Sequence, residues 1–260
     1  MSGPSVTFLA ELSTNDAAAL SPETVIVQPI GAIEQHGAHL PLVTDALVAE
    51  ALSRRAAARS AVDVSILPTL SYGRSIEHRG WAGTISMSSE TLLAVCRDVG
   101  RSVAASGFTK LVFVNGHGGQ PSLLDVVARD IRAETGLQVF SIMPARLGMP
   151  EDLVVPDDEY GYHGGHVETS IMLALAPELV RMECAEAGGI GVAREFGRFQ
   201  HLTLEGVVPS AWLTDDVTHN GILGDPTTAS REVGDVLVDV WSTRLAEAFG
   251  EIAGFRYPLY

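Results

Sequence analysis

The chain has 260 residues, 46% of them hydrophobic, which is enough to build the core of one large α/β domain or two small ones. Its 32 acidic and 17 basic residues give a net charge of −15, which argues against a nucleic-acid partner and favours a small neutral or cationic substrate over a polyanion. No run of about 18 apolar residues is present, so no membrane-spanning helix is predicted.

The first half of the chain alternates apolar strands with helices. The first four residues lack the basic and apolar regions of a signal peptide, so we expect a cytoplasmic protein. Strands are predicted at residues 24–30, 64–67, 110–114 and 137–142, and helices at 47–59, 88–106 and 121–134. Such β-α-β units predict a mostly parallel sheet covered by helices on both faces, with ligands at the carboxyl ends of the strands.

The pattern is weaker beyond residue 144. Residues 150–162 are predicted to form an acidic loop, 168–179 a helix, and 188–220 a loop or small hairpin over the site. Asp225 and Pro226 are predicted to begin a last helix that runs to about residue 249, as its N-cap and its first-turn proline. No internal repeat is evident, and Cys96 and Cys184 lack a Cys-x-x-Cys spacing, so we expect one domain over residues 1–260 without a disulfide framework.

Glu34, His36 and Asp45 form the densest group of metal-ligating residue types in the chain. Carboxylates and neutral imidazoles are ligands for Zn, Mn or Fe, and one carboxylate can bridge two cations. Glu34 and His36 are an i, i+2 pair, which in an extended segment points to one side and can serve two neighbouring metals. The group also fits a polar loop, in which Asp45 is only a helix N-cap and His39 a packing residue.

Two further segments have the same character. His117 follows an apolar strand in the loop Asn115-Gly116-His117-Gly118-Gly119, whose glycines allow close approach to a ligand but are also ordinary turn signals. His163, His166 and Glu168 lie at the start of a predicted helix. Together with the first group, these segments predict a metallohydrolase site.

The combination resembles the creatininase (creatinine amidohydrolase) family. The matching segments, in the family's order, are residues 31–42 with Thr44-Asp45, Glu77-His78, residues 83–86, residues 114–119, His163 with Glu168-Thr169-Ser170, and Gly224-Asp225-Pro226-Thr227. The resemblance implies a three-layer α/β/α fold, a dinuclear metal amidohydrolase and a homo-oligomer, namely a hexamer built from dimers. It further implies that Glu34 binds the first metal, that His36 binds the second, that Asp45 bridges them and that His117 is another ligand.

Position 119 departs from the creatinine-hydrolysing members, which carry a glutamate ligand two residues after the histidine that corresponds to His117. This chain has Gly119 there. We predict that Glu168 replaces the missing ligand at the second metal. The absent carboxylate is expected to open space beside that ion and to disfavour creatinine as the substrate.

Two divalent ions (Zn, Mn or Fe) about 3.5 Å apart would lower the pKa of a bridging water and hold the resulting hydroxide against an amide carbon. The predicted catalytic residues are His163, which matches the family's acid/base histidine, and Glu168. His163 would move a proton from the water to the leaving nitrogen. His166 is an alternative for this role, and its other interpretation is a surface histidine at a helix start.

The predicted activity is cleavage of a C–N bond in a small cyclic amide or an N-acyl or formyl amide. A peptidase acting on a modified peptide, a metal-free scaffold and an iron redox enzyme are the alternatives. Four aromatic side chains are expected to form an apolar lid over the substrate: Trp81, Phe196, Phe199 and Trp212. Four arginines fit either a phosphate-binding pocket or ordinary surface charges: Arg74, Arg79, Arg194 and Arg198.

Overall fold

A five-stranded sheet forms the centre of the computed structural model, which describes residues 6–258. The strands are β1 (Val6–Phe8), β2 (Val25–Ile30), β3 (Val64–Ile66), β4 (Lys110–Asn115) and β5 (Gln138–Ile142). Their order is β1-β3-β2-β4-β5, and all four pairings are parallel. Every residue of β2 and β4 is buried, which explains why these strands read as continuous apolar runs.

Helices cover both faces of the sheet. They are α1 (Thr14–Ala19), α2 (Thr44–Arg59), α3 (Ser89–Ala105), α4 (Pro121–Thr135), α5 (His166–Leu175), α6 (Ile190–Phe196), α7 (Thr214–Val217) and α8 (Arg231–Gly254). Because side chains alternate along a strand, Val25 and Val27 pack with α2, α5 and α8, whereas Ile26 and Ile30 pack with α3 and α4. The predicted three-layer α/β/α fold is therefore confirmed.

The elements predicted in the first half agree with the structure to within three residues at each end. The largest difference concerns α2, which begins at Thr44 rather than at residue 47. Its N-cap is Val43, so the interpretation of Asp45 as an N-cap is wrong. Asp45 lies inside the first helical turn, where its side chain faces the carboxyl edge of the sheet.

The second half differs more from the prediction. Asp225 caps the short 3₁₀ helix Pro226–Thr228 by accepting the Thr227 N–H, and Ser230 caps α8, so the predicted start of the last helix is wrong. The segment 188–220 contains α6, α7 and two short strands, β6 (Leu202–Thr203) and β7 (Val208–Pro209). These strands pair in parallel, so they do not form a hairpin.

The acidic segment 150–162 contains no helix or strand, as predicted. Within residues 6–258, none of the helices is both long and apolar enough to cross a bilayer.

Candidate metal centre

Four ionisable side chains meet at the carboxyl edge of the sheet. Glu34 and His36 follow β2, His117 follows β4, and Asp45 enters from the first turn of α2. Each of the four is at most 2% exposed. Groups that ionise are almost never this buried unless they are paired or bind a metal, because burial removes their hydration.

The first ligand set consists of Glu34, Asp45 and His117. His117 Nδ1 lies 3.2 Å from Glu34 Oε2 and 3.1 Å from Asp45 Oδ2. Neither oxygen has a hydrogen-bond partner among the described residues. Ligand atoms about 2.1 Å from a tetrahedral zinc are about 3.4 Å from one another, so this spacing and these orphaned oxygens fit one metal ion.

A second ligand set uses the other oxygen of Asp45. His36 Nε2 lies 3.1 Å from Asp45 Oδ1 and 3.9 Å from Glu168 Oε2. Glu168 is 30% exposed, and its Oε2 accepts the Gly164 N–H at 2.5 Å. The two oxygens of Asp45 thus face two different histidines, which is the arrangement that a bridging carboxylate requires.

Both histidines are held in the tautomer that a metal needs. His36 Nδ1 lies 3.2 Å from the Glu34 carbonyl oxygen, and His117 Nε2 lies 2.9 Å from the Arg74 carbonyl oxygen. A carbonyl can only accept, so each of these nitrogens carries the proton. The opposite nitrogen of each neutral ring then presents its lone pair to the carboxylates.

The buried carboxylates of the centre favour positive charge on the groups beside them. Burial opposes a cationic His36, yet Asp45, Glu168 and Glu34 raise its pKa to about 10. Burial likewise opposes a charge on His117, but the carboxylates of Glu34 and Asp45 hold its pKa well above 6.5. In this state protons on the histidines balance the carboxylates, and divalent ions would supply the same charge directly.

The pKa values of Glu34 and Glu168 are shifted in opposite directions. Burial works against ionisation of Glu34, but His117 holds its pKa well below 4.5. Burial raises the pKa of Glu168. Attraction to His36 lowers this pKa in part, whereas repulsion from Asp45 raises it further. Glu168 is therefore the carboxylate that depends most on a cation to ionise.

His163 lies beside both ligand sets. Its Nε2 donates to the Gln35 carbonyl oxygen at 2.6 Å, so the unprotonated Nδ1 faces Glu34 Oε1 at 3.7 Å. Burial lowers its pKa well below 6.5, and the charges of His36 and His78 add to this effect. The ring is thus neutral in this state, and its unprotonated Nδ1 points toward the ligand cluster.

His166 and His39 lie away from the ligand sets. The interpretation of His166 as a surface residue is wrong, because it is 4% exposed and its Nδ1 lies 3.0 Å from Thr228 Oγ1. Within the described chain, no hydrogen bond or ion pair joins His166 to the predicted ligands, so its role as a proton carrier has no support. His39 Nε2 lies 2.9 Å from Thr169 Oγ1, and burial lowers its pKa to about 4.

His78 was missed as a site residue by the sequence analysis, which noted it only as part of a matching segment. It is 2% exposed, and its Nε2 lies 3.4 Å from Glu34 Oε1. Its ring stacks on His163, with centroids 4.2 Å apart. The signal that points to it is its position after β3, since that strand ends at the same edge of the sheet.

The space next to Gly119 is occupied on the side of the first ligand set. A Cβ atom at position 119 would overlap with Glu77 Oε1 and would come within 2.6 Å of His117 Nε2. The carboxylate of Glu77 therefore takes up the room that the glycine leaves. At the neighbouring Gly118, by contrast, a Cβ atom would meet no atom within 4 Å.

A cavity of about 250 Å³ adjoins the second ligand set. Asp45, His163 and Glu168 line it, together with polar side chains such as Asn115 and Asp158. Most of the lining surface is apolar, and its residues include Leu52, Met143, Met149, Ile171 and Trp241. The cavity can therefore hold an apolar group with one end at the ionisable cluster.

The four predicted lid aromatics do not line this cavity. Trp212 lies edge-on to His78 with centroids 6.5 Å apart, and Trp81 donates to Asp215 Oδ1. Arg79, Arg194 and Arg198 are exposed, as expected of surface charges, whereas Arg74 lies beside Glu77. Of the four aromatics, Trp212 thus lies on the His78 side of the centre.

Known proteins are similar to this chain over most of its length. The family model described as creatinine amidohydrolase matches residues 10–249. The mycofactocin precursor peptide peptidase of Mycobacterium ulcerans (strain Agy99) is 35% identical over 254 residues, covering 93% of this chain and 92% of that protein. The creatinine amidohydrolase of Pseudomonas putida is 29% identical over 267 residues, covering 94% and 96%.

Solved structures described as creatininases are also similar to this chain over nearly its whole length. A manganese creatininase superposes with a TM-score of 0.75 at 27% identity and covers 95% of this chain and 98% of its own. A protein from Bacteroides fragilis described as a putative creatinine amidohydrolase superposes with a TM-score of 0.77 at 25% identity over the full length of both chains.

Proposed function

Because the chain belongs to the creatininase (creatinine amidohydrolase) family, we propose that it is a metal-dependent hydrolase that cleaves a C–N amide bond. The observation that carries the proposal is Asp45, whose two oxygens face His117 and His36 at 3.1 Å each. A metal-free scaffold would bury these charges without any gain to offset the cost of removing them from water.

The residues divide into two ligand sets. Glu34, Asp45 and His117 would hold one divalent ion, and His36, Asp45 and Glu168 the other. Mixed carboxylate and imidazole donors suit Zn, Mn or Fe. When bound, the ions polarise an amide carbonyl and acidify a water molecule.

The protein's own residues then handle the proton. His163 Nδ1 faces the ligand cluster with a free lone pair and can accept a proton there. The Gln35 carbonyl oxygen holds Nε2, and stacking on His78 fixes the plane of the ring. In this orientation the protonated ring can return the proton to the leaving nitrogen.

The cavity supports a substrate with an apolar side chain next to the cleaved amide. Met143, Met149 and Trp241 line the same cavity as Asp45 and Glu168, and they offer little to the small polar ring of creatinine. Four relatives at 32–36% identity are named mycofactocin precursor peptide peptidase. We therefore put a peptide amide first and a small cyclic or N-acyl amide second, which reverses the order favoured by the sequence analysis.

Metal-loaded protein is expected to hydrolyse peptides that carry an apolar residue beside the cleaved bond, and creatinine about 100-fold more slowly or not at all. A panel of peptides and creatinine, assayed by mass spectrometry with added Mn or Zn, measures this preference. Chelation should stop turnover, and fresh Mn or Zn should restore it. Efficient creatinine turnover without peptide cleavage would contradict the substrate assignment.

Met149→Glu is expected to raise KM for such peptides about 10-fold or more. The new carboxylate would lie among the lining residues of the cavity and would have to be desolvated when the apolar side chain of the substrate enters. Val154→Glu is the matched control, since it adds the same charge to the same loop at a position that is 81% exposed. Steady-state kinetics measure the effect, and thermal melting confirms that both variants fold. Equal KM values for the two variants would rule out this cavity as the substrate site.

The homo-oligomer implied by the family stays a prediction, which sedimentation measurements can test.

A further inference from the structure

The dipeptide Glu77-His78 lies on the outer side of the first ligand set. It ends a short 3₁₀ helix, Ile76–His78, in the loop after β3. His117 turns Nδ1 to Glu34 and Asp45 and Nε2 to Glu77, whereas Glu34 turns Oε2 to His117 and Oε1 to His78. Two consecutive residues therefore contact two of the three ligands of one proposed ion.

Glu77 contacts His117. Its Oε1 lies 3.4 Å from His117 Nε2, the nitrogen that donates to the Arg74 carbonyl oxygen. The Glu77 side chain is only 11% exposed, and its Oε2 lies 3.6 Å from Arg74 Nη1. A carboxylate beside the outer N–H of a ligating histidine fixes the ring and makes its inner nitrogen a stronger donor to a metal.

His78 contacts Glu34. The Gln35 side-chain amide is oriented by the backbone, because its oxygen accepts the Gly37 N–H and its nitrogen donates to the Gly221 carbonyl oxygen. The same nitrogen lies 3.0 Å from His78 Nδ1, and the Thr214 hydroxyl lies 2.7 Å from it. These two contacts orient the ring so that its Nε2 faces Glu34 Oε1 at 3.4 Å.

Gly119 makes the position of Glu77 possible. Even the smallest side chain at residue 119 would overlap with the Glu77 carboxylate. Apart from the shared Asp45, the other ligand set does not contact the dipeptide, because among residues 6–258 neither His36 nor Glu168 has a hydrogen bond or ion pair to Glu77 or His78. The effect of the dipeptide should therefore be largest at one ion.

We propose that Glu77 and His78 are positioning residues that hold the set Glu34, Asp45 and His117 from outside, and that Gly119 provides the room that Glu77 needs. The inference rests on the proposed function, since it assumes that this set binds a metal. In this structure the carboxylate of Glu77 occupies the space that a side chain at position 119 would enter.

Titration of the full-length protein with Co²⁺, followed by its absorption spectrum and by competition with a chelator, tests the proposal without any substrate. Glu77→Gln keeps the shape of the side chain but removes its charge, so one of two ions should bind about 10- to 100-fold more weakly. Glu178→Gln is the control, because it removes the same charge at an exposed position outside both ligand sets. Unchanged binding in Glu77→Gln, or equal weakening of both ions, would overturn the proposal.

Gly119→Ala tests the steric part and should weaken the same ion, whereas Gly118→Ala should bind as wild type. Combining Gly119→Ala with Glu77→Gln should cost less than the sum of the two single changes, since both disturb the same contact. Additive effects would contradict a shared cause. If wild-type protein hydrolyses amides without binding Co²⁺, Zn²⁺ or Mn²⁺, the proposed function itself fails. If every variant binds Co²⁺ equally well, only this inference fails.

Discussion

Asp45→Ala is expected to lose both metal ions and to lower kcat/KM by about 10³-fold or more. Asp45 is the one residue that belongs to both ligand sets, with Oδ2 facing His117 and Oδ1 facing His36. Without it, each set keeps a single histidine and a single carboxylate, which is too few protein ligands for a stable divalent site. Elemental analysis of protein purified without chelator, together with kinetics on the best peptide, measures both effects.

Asp158→Ala is the matched control for this change. Asp158 lines the same cavity but is exposed and belongs to neither ligand set. It should keep about two ions per chain, the stoichiometry that two sets sharing one carboxylate predict. Retention of full metal content by Asp45→Ala would refute the dinuclear assignment.

His163 and Glu168 are expected to differ as a proton carrier differs from a metal ligand. His163→Asn is expected to keep both ions and to lower kcat by about 10²- to 10⁴-fold, the usual contribution of a general acid or base. Glu168→Gln is expected to lower metal occupancy as well as rate, because Glu168 Oε2 lies 3.9 Å from His36 Nε2 within the second set. Metal content and kcat, measured on the same preparations, distinguish the two roles.

His166→Asn is the control for His163→Asn. It changes a buried histidine three residues away that contacts Thr228 rather than the ligand sets, so kcat should stay near the wild-type value. If Glu168→Gln binds both ions normally, Glu168 is not a ligand and acts on the substrate or on His163 instead. If His163→Asn loses metal, His163 is itself a ligand.

The sequence alone determined four of the five strands of the sheet, the three long helices of the first half and four buried ionisable residues of the centre, but not β1 or α1. The periodicity of a strand or a helix can be read from a short segment of sequence, because each element places apolar residues on the face or faces that it buries. The four residues Glu34, His36, Asp45 and His117 were found because their chemistry and their positions after strands can both be read from short segments. The family resemblance then connected those segments into one site.

Only the tertiary structure decided which contacts the loops make. Glu77 fills the room at Gly119, 42 positions along the chain, and His78 receives its orientation from Gln35 and Thr214. The burial of His166 and the apolar cavity likewise depend on how the loop 150–162 packs against α5 and α8. Such contacts join irregular segments far apart in the chain, and no periodicity encodes them, because a loop takes its conformation from the surfaces on which it packs.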